Sequence, residues 1–309
     1  MQAWRIHEFG GLDVLRLEDT PMPALRPGDV LVRVAAASAN PSDWRTRQGQ
    51  VRAHFELHLP WTIGRDCAGT ITALGDGVTN FAVGDEIIGV ATPGDNGPHA
   101  QFARLPATAV ARRPAAIDPI NATTLGISAL SAYIPLIELG QLRAGQRVLI
   151  HAGAGGVGHF AIQMARHIGA EVFTTCGTTN LDFCRELGAH RAIDYNREDF
   201  TTIARDMDIV FDCLGGAAHG QSARLLKPGG RLVYINADPI GPTGRNDIEV
   251  LHKPIMGNPE RFATIIEWAT AGVLKPYINQ VFAFKDAKAM YAASQGAHGR
   301  GKRVLTVAG

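Results

Sequence analysis

One stretch constrains this chain more than any other. Arg147 to Ala170 reads RVLIHAGAGGVGHFAIQMARHIGA. A β-branched run leads into Gly153, Gly155 and Gly158, spaced GxGxxG, and an amphipathic run continues up to Ile168. A second strand-like run opens at Glu171. The order predicts strand, tight turn, helix, strand. Each glycine in such a turn has its own task. The first permits the turn, the second lets a backbone approach a pyrophosphate, and the third lets helix and strand pack closely. Gly156 adds another position without Cβ, and Val157 sits where the helix begins. The free N–H groups and dipole of that helix end favour an anion. The turn therefore predicts dinucleotide binding through Gly153, Gly155, Gly156, Val157 and Gly158.

The residues after the second strand select the dinucleotide. A site that prefers NAD carries an acid about 20 residues on, to hold the ribose hydroxyls. Here the residues are Thr174 to Asn180, with no acid among them. Thr178, Thr179 and Asn180 offer hydroxyls and an amide to a 2′-phosphate. No Lys or Arg stands beside them in sequence to add a charge-assisted contact. We expect NADPH, although the same residues also suit a plain turn.

The rest of the chain falls into two patterns. Up to about residue 115, short β-branched runs alternate with turns: Asp29–Ser38 comes after Arg26-Pro27-Gly28, and Gly69–Leu74 ends in Gly75-Asp76-Gly77. Val83–Val90 and His99–Leu105 continue the series, which predicts a β-rich, barrel-like unit. Beyond it, strands are predicted at Arg147–His151, Glu171–Cys176, Arg191–Asp194, Asp208–Cys213 and Gly230–Asn236. Helices are predicted between them at Gly156–Ile168, Asn180–Leu187 and Ala217–Leu226. Alternation of this kind predicts a parallel sheet with right-handed crossovers. After a helix over Pro259–Ala271, the runs INQVFAF and GKRVLTV read as strands without helices of their own. They are expected to return to the first unit. The division is thus 1–115 with 256–309, and 116–255.

Composition removes several function classes. With 46% hydrophobic residues, 19% charged residues and a net charge of +1, the chain is neither disordered nor a basic nucleic-acid binder. No apolar run approaches the ~18 residues that cross a bilayer, and the first ten residues lack a signal-peptide core. A soluble, cytoplasmic protein without membrane or nucleic-acid partners is the expectation. Cys67, Cys176, Cys184 and Cys213 form no CxxC pair, so reduced thiols are expected. The eleven histidines show no HxxEH or HxH spacing and read mostly as surface groups, His99 and His151 included.

Several segments together resemble one family. RPGDVLVRV, ANPSDWRTRQG, PWTIGRDCAGTITALGDGVTNFAVGDEIIG, TTLGISALSAY, LKPGGRLVYI and RGKRVLTV are similar, in order, to segments of the medium-chain dehydrogenase/reductase superfamily. The likeness is to its zinc-independent quinone oxidoreductase-like branch. It implies an α/β fold: a GroES-like β-rich catalytic domain plus a Rossmann doubly wound parallel-sheet domain, with the active site between them. It also implies a homodimer. Where zinc alcohol dehydrogenases of the superfamily place a Cys and a His ligand, this chain has Asn40 and Arg65, neither a good zinc ligand. No metal is expected. The implied reaction passes hydride to an electrophilic acceptor, a quinone or an α,β-unsaturated carbonyl.

The resemblance also suggests roles for individual residues. Asn40, with Arg45, would stabilise the oxyanion. Ser128 would hold the nicotinamide carboxamide, and Tyr195 would face the adenosine phosphate. Gly215 and Asn236 would border the cofactor crevice, and Lys302 would approach the nicotinamide side. Asp43 reads as structural. Two rival readings stay open. One is an NADPH-binding redox sensor with little turnover. The other is an enoyl-thioester reductase, which Arg45 argues against because relatives use a tyrosine donor there.

Overall fold

The computed structural model describes residues 1–51, 56–235, 243–296 and 299–307. Its first strands are β1 (Gln2–Ile6), β2 (Arg16–Asp19), β3 (Asp29–Ser38), β4 (Trp61–Thr62), β5 (Asp66–Leu74), β6 (Glu86–Val90), β7 (Phe102–Pro106) and β8 (Val110–Arg112). Helix α1 (Pro41–Arg47) leaves β3 after a two-residue step. Burial along β3 largely alternates until Ala36, as a strand with one face on a core should. The antiparallel set β3–β5–β6–β8, with β7 on the other edge of β3, encloses Val30, Val32, Ile71, Ile87 and Leu105.

Short helices α2 (Pro119–Thr123) and α3 (Ile127–Tyr133) lead into the second layer. There β9 (Arg147–Ile150), α4 (Gly158–Ile168), β10 (Glu171–Cys176), α5 (Leu181–Leu187) and β11 (Arg191–Asp194) succeed one another. After the single turn α6 (Phe200–Ile203) come β12 (Met207–Asp212), α7 (Gly216–Ala223), β13 (Leu226–Tyr234) and β14 (Glu249–Leu251). The six strands run parallel in the order β11-β10-β9-β12-β13-β14. This is the doubly wound dinucleotide-binding order, with its crevice where β9 and β12 part. Every residue of β12 is buried, because helices cover both faces. The left-handed Gly169 (φ +90°) ends α4 and turns the chain into β10.

The last segment differs from expectation in one respect. Helix α8 (Pro259–Thr270) packs Phe262 and Ile265 into the core of the parallel layer. Strands β15 (Ile278–Ala283) and β16 (Lys302–Thr306) do join the antiparallel sheet, β16 pairing with β3. They are parallel to each other, however, and parallel neighbours need a crossover. Helix α9 (Ala287–Gly296) supplies it and buries Ala287, Met290 and Tyr291 against the antiparallel core. The predicted strand boundary at Gly230 is also corrected: β13 starts at Leu226 and carries the Gly229-Gly230 pair inside it. Asn236 lies outside the described residues.

The histidine expectation fails for four of them. His99, His151, His159 and His219 are buried, each held through ring nitrogens. His151 bridges Thr175 Oγ1 (3.0 Å) and Ser222 Oγ (2.8 Å), and His219 meets Asp212 (2.7 Å). All four cysteines are free. No described helix is long and apolar enough to cross a membrane.

Candidate active site

A cleft of about 1040 Å³ opens where the glycine-rich turn faces α1 and β16. Gly155, Gly156 and Val157 form one wall, and no side chain caps the start of α4 behind them. The two flanking glycines are fixed by sterics. A Cβ on Gly158 would lie 2.2 Å from the Ala152 carbonyl oxygen, and one on Gly153 would lie 2.0 Å from Thr174 Oγ1. Gly155 is less confined: its Cβ would meet only the Ala152 oxygen, at a tight 3.2 Å. The turn thus offers bare backbone and a helix end to the cleft, as an anionic diphosphate requires.

The opposite wall carries Asn40 and Lys302. Asn40 precedes α1, and its N–H donates to Asp43 Oδ2 at 2.8 Å, one half of a capping box. Its carboxamide is fully committed. Nδ2 donates to Asp66 Oδ1 (3.0 Å) and to the Ser38 carbonyl (3.2 Å), and Oδ1 accepts from Lys302 Nζ (2.8 Å). The amide orientation is set by its partners, since a carboxylate only accepts and an ammonium only donates. Asn40 therefore has no N–H left for an acceptor oxygen, which corrects the direct contact expected of it. Lys302 is buried and donates a second bond to the Ala39 carbonyl. Three ammonium hydrogens serve two protein acceptors, so one remains. Burial lowers the Lys302 pKa, and Asp66 and Asp43 oppose that shift.

Asp66 was not singled out by the sequence. At the head of β5 it also accepts from Ser38 Oγ (2.7 Å) and from the Ile127 N–H (2.9 Å), fastening β3, α1 and α3 together. Behind it lies a second buried chain. His99 Nε2 donates to the Ser38 carbonyl (3.2 Å), so Nδ1 accepts from the Tyr291 hydroxyl (2.8 Å). That hydroxyl also lies 3.2 Å from Asp43 Oδ2. Its single proton goes to His99, so a protonated Asp43 completes the chain. Burial, aided by Asp66, raises the Asp43 pKa to about 7. Burial lowers that of His99 to about 4, which keeps the ring neutral.

The other expected residues divide. Ser128 on α3, Arg45 on α1, Asn180 and Tyr195 all line the cleft. Arg45 lies over the Trp44 ring at 5.5 Å. Gly153, Gly158, Thr178, Thr179 and Gly215 stand outside its lining. The Thr178 hydroxyl donates to Asp194 at 2.6 Å and is not available to a phosphate. Gly215 makes the left-handed turn into α7, and its N–H donates to Asp212 Oδ1. The cation missing beside this turn in sequence arrives from far along the chain. Arg300 donates from Nε to Asn180 Oδ1 (2.9 Å) and from Nη2 to the Thr179 carbonyl (2.6 Å), and its guanidinium lies 5.2 Å over Phe183. Only the 3.6-residue and 2-residue periodicities are local signals, and neither reports a contact spanning 120 residues. Among the described residues no group of three or more His, Cys, Asp or Glu could hold a metal.

Known proteins share this architecture. Residues 26–115 match the alcohol dehydrogenase GroES-like domain, and residues 187–305 match the family described as zinc-binding dehydrogenase. A chloroplastic NADPH-dependent alkenal/one oxidoreductase from Arabidopsis thaliana is 31% identical over 316 residues, covering 99% of this chain and 79% of that protein. The chain belongs to the medium-chain dehydrogenase/reductase superfamily. Within the superfamily it falls in the quinone oxidoreductase-like branch. A 2-methylene-furan-3-one reductase from Solanum lycopersicum is 30% identical, covering 99% of this chain and 79% of that protein. The quinone oxidoreductase structure from Coxiella burnetii superposes with a TM-score of 0.93 at 30% identity, covering 100% and 99% of the two chains.

Proposed function

We propose that this superfamily member is a metal-free, NADPH-dependent reductase of quinones or α,β-unsaturated carbonyls. The observation that carries the reading is the cleft itself, where bare glycine backbone faces a buried ammonium held by Asn40. Relatives named for NADPH-dependent alkenal/one reduction and quinone reduction support the acceptor class. We assign the two domains as 1–115 with 256–309, and 116–255, with α8 of the first reaching across to pack on the parallel layer of the second. We also assign a cytoplasmic homodimer, to be read by gel filtration.

When bound, the reduced nicotinamide supplies the hydride. The chain supplies binding, orientation and charge. The start of α4 and the Lys302 ammonium balance the diphosphate charge. Lys302 lies against the turn, since a Cβ on Gly156 would approach its Cδ to 2.6 Å. Asn40 acts through Lys302, fixing Nζ so that its remaining N–H meets negative charge in the cleft. Arg45, on the same wall, adds positive potential where charge develops on the acceptor oxygen. The proton comes from water. Ser128 is assigned to the carboxamide, and Asn180, Tyr195 and Arg300 to the adenosine end. Arg300 supports NADPH over NADH, because a guanidinium beside Thr179 and Asn180 complements a 2′-phosphate.

A zinc ion does not fit these residues. The Lys302 ammonium occupies the one acceptor atom of Asn40, and Arg65 brings a second cation to the same cleft. The test is oxidation of NADPH, monitored at 340 nm, with a quinone panel and an alkenal panel. Turnover with at least one acceptor is expected. Tight NADPH binding with no turnover would favour the sensor reading and refute this one.

A further inference from the structure

The charge of the cleft points to the kind of acceptor it takes, and this inference rests on the reductase reading. The lining includes Arg45, Arg65, Lys302 and Arg303, and no Asp or Glu among the described residues. The whole chain carries only +1, so positive charge is concentrated here. The diphosphate accounts for Lys302. It does not account for Arg65, which lies in the β4–β5 connection and makes no hydrogen bond to the glycine-rich turn or to Thr178–Asn180.

Arg65 is held in place by backbone carbonyls, and the carboxyl groups of Asp43 and Asp66 act on it only from beyond ion-pair distance. Nε donates to the Ala91 carbonyl (3.2 Å) and Nη2 to the Ile255 carbonyl (3.3 Å), which ties the guanidinium between β6 and the segment after β14. Nη1 has no hydrogen-bond partner among the described residues, and no carboxylate there lies within 4 Å of the side chain. Trp44, Ile127 and Ile255 add apolar surface to the lining of the same cleft. The half-buried guanidinium therefore keeps N–H donors free for an anion that enters the cleft. A carboxylate is the group whose geometry its N–H pair fits.

We propose that the acceptor carries a carboxylate, held by Arg65, beside its activated double bond. The redox step keeps its balance. The C=C π bond breaks, a hydride from NADPH adds to the β-carbon, and a proton from water reaches the α-carbon. NADP⁺ leaves, and the carboxylate is unchanged.

The test compares 4-oxo-2-pentenoate with its methyl ester as acceptors in the NADPH assay. The ester is the more electrophilic alkene, so a preference for the acid reports binding. Wild type is expected to favour the acid about 10- to 100-fold in kcat/KM, the range of one charge-assisted contact. Arg65→Gln is expected to bring that ratio near one, and Arg65→Lys to keep part of it. A wild-type ratio at or below one overturns the proposal without any variant. So does an Arg65→Gln protein that is folded by circular dichroism and keeps the wild-type ratio. Turnover of the ester or of an alkenal, with the acid untouched, overturns this inference alone. No turnover of any acceptor overturns the reductase reading with it.

Discussion

Arg300 offers the sharpest test of cofactor choice. Its guanidinium carries five N–H donors, of which Nε and one Nη2 hydrogen hold Asn180 and Thr179. Three therefore remain for a 2′-phosphate. A hydrogen bond to a charged group is worth about 1.5–3 kcal/mol when well shielded, whereas exposed ion pairs contribute ~1 kcal/mol or less. Arg300 is partly exposed, so we take about 1.5–2 kcal/mol. That corresponds to roughly 10- to 30-fold in Kd. Arg300→Ala is expected to weaken NADPH by that factor, while NADH changes by less than about threefold. The NADPH loss should shrink as salt rises, because the site is open to screening. Calorimetric titration of both nucleotides at two ionic strengths reads all of this. Equal losses for NADPH and NADH would refute the reasoning, since they would mean that Arg300 only supports the turn.

The buried groups and the glycine turn lead to three further outcomes. Burial raises Asp43 from 3.8 to about 7, so between those values the folded protein holds a proton that the unfolded chain has lost. Its contribution therefore declines as pH rises from about 4 to 7, by on the order of 4 kcal/mol in all; Asp43→Asn should remove that slope in denaturant titrations, and a wild-type-to-variant difference constant across this range would count against it. His99, His151 and His159 are lowered to about 4, so their contribution is complete above about 6.5 and is lost as pH falls through 4, which predicts acid unfolding with uptake of protons. Gly158→Ala meets a backbone oxygen that cannot move aside and should destabilise by about 2–4 kcal/mol, whereas Gly155→Ala, whose Cβ enters the cleft, should melt near wild type but lose NADPH binding; similar melting temperatures for both would contradict the assigned geometry.

The legible part of this protein was its local part. The glycine spacing placed β9, the turn and α4 almost to the residue, because strand, turn and helix each leave a short-range pattern. Helix α9 is not read from the sequence, although Ala287, Met290 and Tyr291 mark one helical face, because the flanking β-runs dominate the segment. The network behind the site was not legible. Asn40 meets Asp66 across 26 residues and Lys302 across 262, and Tyr291 meets Asp43 across 248. No periodicity encodes such pairs. Each polar side chain looks like a surface group until the fold removes water from it. The four buried histidines were misread for the same reason.

The pairing of β16 with β3 has a consequence for how the molecule is made. Val304 lies opposite Ser38, so the antiparallel sheet waits for almost the entire chain before its central strand gains this neighbour. The parallel layer is built largely from one contiguous stretch and can condense while synthesis continues. Closing so long a loop is slow, and until then the apolar edge of β3 stays open to wrong partners. Lys302 rides on that same last strand. The ammonium that Asn40 holds therefore arrives only when the sheet closes, and chemical competence becomes a report that assembly is finished.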